Sequence, residues 1–294
     1  MSRYDTFILG QVCVDVNTDF GGQPVREPGG AVLYSGFAAA AMGHRVAVLS
    51  KGNPGDLDAA AVFCERPDIK VYELPSQTST FIRNVYLTPD RERRDSWVDS
   101  QIEPYRPEEV PEVDASIYHL AGLMRGDLGN DIIRLAADRA MVALDVQCIL
   151  RVVKDGRMVF EDWPEKMEYL KKIRFLKTDA LEAEILTGLT DTEAAARLLH
   201  SWGAQEVMVT HNTGVLVFDG GKVCRQALLP RSLAGRTGRG DTCFSGYITE
   251  RLTKNIPESL RTAAALVSLK METPGPFMGS REDVEEYANK FFGV

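Results

Sequence analysis

Short apolar runs, bounded by polar residues or glycine, recur along this chain with helix-like segments between them. "TFILGQV" (6–12), "RVAVLS" (45–50), "SIYHLAG" (116–122), "MVALDV" (141–146), "IRFLKT" (173–178) and "EVMVT" (206–210) read as strands. They are apolar nearly throughout, so both faces must be covered, which is how strands of a parallel sheet read. The intervening helices are "AVLYSGFAAAAMG" (31–43), stopped by Gly43, then "GNDIIRLAADRA" (129–140) and "TEAAARLLHSWG" (192–203). Thr190 with Glu193 predicts a capping box at the start of the last of these. The pattern predicts an α/β fold: a central, mostly parallel sheet flanked by helices, with ligands bound beyond the carboxyl ends of the strands.

One stretch breaks the alternation. "STFIRNVYLTPDRERRDSWVDS" (79–100) reads as a β-hairpin around a charged turn containing Pro89 and Asp90, with "DVNTDFGGQPVRE" (15–27) as its partner. At 294 residues the chain is expected to be one domain, 1–294, with these strands (approximately 15–28 and 79–103) inserted as a small sheet. Two readings compete for that sheet: a lid that excludes water from a site, or an irregular excursion.

The balance of 34 Lys and Arg against 42 Asp and Glu, a net charge of −8, argues against a nucleic-acid partner. No run of about 18 apolar residues predicts a membrane span. The early residues lack the pattern of an export signal, and five scattered cysteines (13, 64, 148, 224, 243) suggest reduced thiols and a cytoplasmic protein. The four histidines have no metal-ligand spacing.

"GRTGRGDTC" (235–243) carries the chemistry. It precedes a helix marked by Phe244, Ile248 and Leu252 on one face. A helix start offers unpaired N–H groups and partial positive charge, and glycines at 238 and 240 let an anion approach that backbone. Asp241 reads either as a capping residue or as a general base that takes the proton of an attacking hydroxyl while the amides hold a phosphoryl group. The segment fits neither a Walker A loop nor the dinucleotide-binding glycine fingerprint. Arg239-Gly240-Asp241 as an adhesive tripeptide would need export, which nothing in the sequence supplies.

"GRTGRGDTCFSGYI" resembles the C-terminal signature of the ribokinase-like, or PfkB-type, carbohydrate kinases. Thr237, Gly238, Gly240, Asp241, Phe244 and Gly246 match, with the last spacing one residue short. Four further segments resemble family motifs in the expected order: "GQVCVDV" (10–16), "GGAVLYSGFAAAAMG" (29–43), "KTDALEAEILTG" (177–188) and "VTHNTGVLV" (209–217). The resemblance implies an ATP-dependent kinase acting on an alcohol hydroxyl of a small sugar or polyol. It implies Asp241 as base and the amides of Gly238, Arg239 and Gly240 as anion hole. Thr210, Asn212, Gly214 and Thr237 would lie on the nucleotide side, and Asp15, Gly29, Gly30, Tyr34 and Arg151 on the acceptor side. Glu182 with Asp179 would order water around Mg²⁺. Alternatives are an inositol or nucleoside kinase of the same family, or a non-catalytic nucleotide or metabolite sensor on the same fold. A homodimer through the lid strands is a further expectation.

Several residues depart from the family pattern. Gly235 stands for an aspartate that often helps to hold an activating monovalent cation, Arg239 for alanine, Asp179 for asparagine and Asn212 for glycine. Arg239 can reach a phosphate or point to solvent. Tyr34, in place of an asparagine that touches the acceptor, can stack on a ring or pack under the lid. Arg151 can contact the acceptor or cap the sheet edge.

Overall fold

The computed structural model describes residues 3–88 and 93–293, so the turn containing Pro89 and Asp90 lies outside the described residues. The chain begins with strands β1 (Tyr4–Gly10), β2 (Cys13–Thr18) and β3 (Pro24–Gly29), followed by helix α1 (Ala31–Ala41) and β4 (Val46–Gly52). A short α2 (Ala59–Val62) leads to β5 (Lys70–Pro75), β6 (Thr80–Tyr86), β7 (Arg94–Ser100) and β8 (Ala115–Ala121). Next come α3 (Asn130–Arg139), β9 (Met141–Asp145), α4 (Gln147–Leu150) and the hairpin β10 (Arg151–Lys154) and β11 (Arg157–Phe160). Helix α5 (Lys166–Tyr169), β12 (Ile173–Asp179), α6 (Ala180–Thr187), α7 (Thr192–Ser201) and β13 (Glu206–Thr210) follow. The chain closes with β14 (Gly214–Phe218), β15 (Cys224–Ala227), α8 (Arg239–Glu250), α9 (Ile256–Lys270) and α10 (Arg281–Phe291).

The main sheet has the order β15-β14-β13-β12-β9-β8-β1-β4-β5. From β13 to β5 every pairing is parallel, and β14 and β15 add an antiparallel edge. Alternate residues of β1 explain why its run is apolar throughout. Phe7 and Leu9 join the core that contains Ile132 and Ile133 of α3, Ala183 of α6 and Leu199 of α7. Ile8 faces the other way, onto Val32 and Phe37 of α1. On that second face Phe175 and Met208 meet Phe244 and Ile248 of α8 and Leu260 of α9. Helix α1 is buried on every side, which explains its Ala-rich, almost wholly apolar sequence.

The second sheet, β10-β11-β7-β6-β2-β3, contains the expected hairpin β6–β7, with β2 pairing parallel to β6 and antiparallel to β3. It also holds β10 and β11, which the sequence reading missed. Their turn is Asp155-Gly156, both with positive φ (50° and 75°), the backbone that a tight hairpin requires. The capping box expected at Thr190 and Glu193 is not formed. Asp191 caps α7 instead, accepting from the Ala194 N–H at 2.9 Å. The helix starts at Thr192, so Asp191, one residue nearer than Thr190, holds the capping position. Helix α8 begins at Arg239, two residues before Asp241, so Asp241 lies in the first turn and Gly238 is the cap. Among the described residues no helix is long and apolar enough to cross a membrane.

Candidate active site

The strand order reverses at β1 and β8, and a cleft opens beyond the carboxyl ends of the parallel strands, between them and the second sheet. Asp179 ends β12 and Thr210 ends β13, and both line the cleft. Asp145 ends β9 just behind it. Two helix starts converge on the same space: Gly30, Ala31 and Tyr34 from α1, and Gly238 to Asp241 from α8. They are tied side by side, since Ser245 Oγ donates to the Ser35 carbonyl at 2.7 Å. The positive ends of both helix dipoles therefore face one cleft, an arrangement suited to an anion.

Gly238 adopts φ 76°, and a Cβ there would overlap the Tyr34 ring, so only glycine lets the loop turn into α8 at this point. The Arg239 N–H donates to the Arg236 carbonyl at 3.2 Å, and the Thr242 N–H to the Gly238 carbonyl at 3.0 Å. Between them, Gly240 and Asp241 supply the first-turn amides that have no acceptor within a helix. The Gln147 Nε2 lies 3.5 Å from Asp241 Oδ1. Burial raises the Asp241 carboxyl above its ordinary range and Asp145 raises it further, against Lys177 and Arg151. A carboxylate shifted this way is the stronger base.

Beneath the loop that leads into α8 lies a charge cluster of which the sequence reading singled out Glu182 but neither Lys177 nor Asp145. The Lys177 ammonium is 2.9 Å from Asp145 Oδ2 and 3.7 Å from Glu182 Oε2, and all three side chains are buried. Burial opposes its charge, yet Asp145, Glu182, Asp179 and Asp241 together hold Lys177 well above the usual range. A Cβ on Gly240 would stand 3.3 Å from that ammonium, so Lys177 supports the loop from below.

Across the cleft, where the resemblance implies the acceptor, Asp15 projects from β2, and burial pushes its carboxyl up to about 6 against the Cys13 thiol and Arg94. Its position depends on Gly29, because a Cβ there would overlap the Asp15 carboxylate. Gly29→Ala is therefore expected to displace Asp15 and raise KM for the acceptor about tenfold, the loss of one hydrogen bond to a charged group. KM for the phosphoryl donor should stay put; equal effects on both would separate Gly29 from acceptor binding. Asn84 and Arg94, neither picked out from the sequence, also line this side. Asn84 is fixed by Asn17, to whose Oδ1 it donates at 2.9 Å, and by Ser96 Oγ, which donates to it at 2.6 Å. Tyr34 lies under the loop, 4% exposed, with its ring against Gly238.

Thr237 and Arg151 line the cleft, whereas Gly29 and Glu182 stand behind it, and Asn212 and Gly214 lie in the turn beyond Thr210, outside its lining. Asp179 and Glu182 form the capping box of α6: Asp179 Oδ1 accepts from the Glu182 N–H, and Glu182 Oε2 from the Asp179 N–H, each at 2.8 Å. Glu182 Oε1 is buried without a hydrogen-bond partner, while Asp179 borders the cleft. That pair fits a magnesium ion carried in by phosphates and approached through water, since magnesium keeps several waters and takes few protein ligands. Among the described residues no three His, Cys, Asp or Glu side chains converge as a closed metal cage.

A parallel sheet with a second sheet across its carboxyl ends, an anion-binding helix start and a buried carboxylate beside it define a kinase of the ribokinase-like fold. The chain belongs to the pfkB family of carbohydrate kinases, whose profile it matches over residues 13–280. It is 24% identical over 255 residues to a cytidine kinase of Thermococcus kodakarensis, covering 83% of this chain and 87% of that protein. Among solved structures it is 31% identical to a pyrophosphate-dependent kinase of the ribokinase family in complex with sulfate, at a TM-score of 0.88, covering 95% of this chain and 99% of the other. A pyrophosphate-dependent kinase of the same family, bound to a pyrophosphate analogue and myo-inositol, is 30% identical at a TM-score of 0.87, covering 96% and 99%. The ribokinase of Arabidopsis thaliana, 19% identical at a TM-score of 0.75 over 98% and 99%, shares the fold.

Proposed function

We propose that this chain transfers the terminal phosphoryl group of a polyphosphate to an alcohol hydroxyl of a small sugar, cyclitol or nucleoside. The observation that carries this reading is Asp241, held in the first turn of α8 among the amides of Gly238 to Asp241 and facing the cleft that Asp15 enters from the other side. In the proposed reaction the acceptor hydroxyl lies between Asp15 and Asp241, and Asp15 accepts a neighbouring hydroxyl as a hydrogen bond. As the acceptor oxygen attacks phosphorus, its proton passes to the Asp241 carboxylate, and the bond from phosphorus to the bridging oxygen breaks. The amides of Gly238, Gly240 and Asp241 hold the transferring group, the Arg239 N–H being engaged by the Arg236 carbonyl, and the Arg239 and Arg151 side chains border it. Mg²⁺ brought by the donor would be held through water by Asp179 and Glu182, and would neutralise charge between the phosphates. Thr210 and Thr237 stand on the donor side. A base placed in this way argues against a non-catalytic sensor, which would have no use for it.

The family resemblance implies ATP with Mg²⁺ as donor. The lining of the cleft favours a more compact anion: Arg94, Arg151, Lys177, Arg236 and Arg239 outnumber Asp15, Asp179 and Asp241. Asn212 and Gly214, expected beside a nucleotide, lie outside that lining. The two pyrophosphate-dependent relatives agree with this, so pyrophosphate is the first donor to test and ATP the second. A cyclitol is the first acceptor, because the second sheet offers it Asp15, Asn84 and Arg94, all polar. Either donor is a metabolite of the cytoplasm, where we place the protein. The single domain with β2, β3, β6 and β7 as a lid is part of the same proposal, as is a homodimer through the β3 edge, where Val25 is exposed.

The test is product formation by purified protein from pyrophosphate or ATP, each with magnesium, against inositols, pentoses, hexoses and nucleosides. The expected result is acceptor-dependent phosphorylation with pyrophosphate and a cyclitol. Turnover only with ATP would overturn the donor assignment, and donor binding without any phosphorylated product would overturn the kinase reading.

A further inference from the structure

Lys270, the last residue of α9, is buried (1% exposed) and belongs to none of the groups described above. Its ammonium donates to the Gly235 carbonyl at 2.6 Å and to the Thr237 carbonyl, and lies 5.1 Å from the centroid of the Tyr34 ring. An ammonium taken this far from water is costly unless it is paired, and here two carbonyl dipoles and an aromatic face pair it. The carbonyls it holds belong to the loop that leads into the anion-binding turn.

The planarity of the peptide unit gives that contact its consequence. In a trans peptide the C=O of one residue and the N–H of the next point in opposite directions. Drawing the Thr237 carbonyl toward Lys270 turns the Gly238 N–H away from Lys270, toward the side occupied by the cleft. The Gly235 carbonyl is linked in the same way to the Arg236 N–H. Gly235 completes the device, because a Cβ there would overlap the Thr273 carbonyl. No carboxylate can be carried at that position to hold a cation from solution.

Building on the kinase reading, we propose that Lys270 is a positioning residue whose ammonium acts as a tethered cation, setting the anion-binding loop so that the chain needs no added monovalent cation. Wild-type turnover should then be unchanged when sodium, potassium or choline is exchanged at constant ionic strength. Lys270→Ala should bind pyrophosphate about 10- to 100-fold more weakly by calorimetry and lose kcat to a similar degree, as expected for lost charge-assisted hydrogen bonds. Ammonium or methylammonium should restore both, and choline should restore neither.

Activation of the wild type by potassium over choline would overturn the proposal. So would a folded Lys270→Ala protein that binds pyrophosphate like the wild type, or one whose binding no small cation restores. Lys270→Gln covers the case in which the alanine variant does not fold. It keeps donors for the carbonyls without the charge, and wild-type pyrophosphate binding in it would show the charge to be unnecessary and refute the tethered cation. Calorimetry also keeps the two readings apart. If no acceptor is phosphorylated but ammonium still rescues pyrophosphate binding in Lys270→Ala, the kinase reading falls and the positioning role stands.

Discussion

Replacing Asp241 with asparagine is expected to lower kcat about 10²- to 10⁴-fold, the usual contribution of a general base, and to leave donor affinity nearly unchanged. Asparagine keeps the size of the side chain and the hydrogen bond from Gln147, so the α8 start and its amides should keep their places. Only proton acceptance is lost. The pH profile gives a second reading. Burial and Asp145 raise the Asp241 carboxyl, so the wild-type acid limb should inflect above the ordinary carboxylate range. The sign follows from the role: a base works deprotonated, so kcat is full above the raised pKa and falls as pH drops through it. Stopped-flow or coupled assays across the acid range, with donor binding by calorimetry, check both parts. A variant that turns over within tenfold of the wild type would remove Asp241 as the base.

Some of this site is legible without coordinates because local backbone chemistry dictates it. Gly238, Gly240 and Asp241 sit at fixed intervals before a helix, and that spacing alone describes an anion-binding turn with a carboxylate beside it. Asp179 and Thr210 are legible only through the family resemblance, although each is also the polar last residue of its strand. Asp145 likewise ends "MVALD" but falls in none of the segments that resemble family motifs, so nothing marked it out. Lys177 is harder to see. It lies within β12; its interval to Glu182 stands in "KTDALEAEILTG", but its nearest partner, Asp145, comes from another strand, and no sequence interval encodes that pair. Lys270 is the extreme case: its partners are backbone carbonyls more than thirty residues away, which carry no side-chain signal. The second sheet was half legible. β-branched and aromatic residues mark β6, but β10 and β11 are short, and the Asp155-Gly156 turn between them was the available sign.

Lys177→Met is expected to lower stability by about 3–5 kcal/mol, the cost of breaking a buried ion pair by removing one partner. Methionine fills much the same volume, so the loss comes from charge: Asp145 and Glu182 would stay buried without their cation. In a chain of this size the thermal midpoint should drop by roughly 10 °C. The deficit should depend on pH with a definite sign. Burial already pushes the Glu182 carboxyl up to about 7 against the pull of Lys177; without Lys177 it should rise further, so the folded variant binds more protons than the unfolded chain. Its stability therefore falls as pH rises through the neutral range, and acid should relieve part of the loss. The wild type, in which Lys177 opposes that rise of the Glu182 carboxyl, should lose less over that interval. Adding Asp145→Asn to Lys177→Met should recover part of the stability, because a neutral side chain of the same size removes an unpaired buried charge and still accepts from the Gln147 N–H. It should not recover turnover, since the support beneath Gly240 and the charges that set Asp241 are gone. Denaturant titrations of the wild type and both variants at acid and alkaline pH test the argument. An unchanged midpoint in Lys177→Met would mean that the ion pairs of Lys177 add nothing to stability, and the electrostatic account of the loop would fail with it.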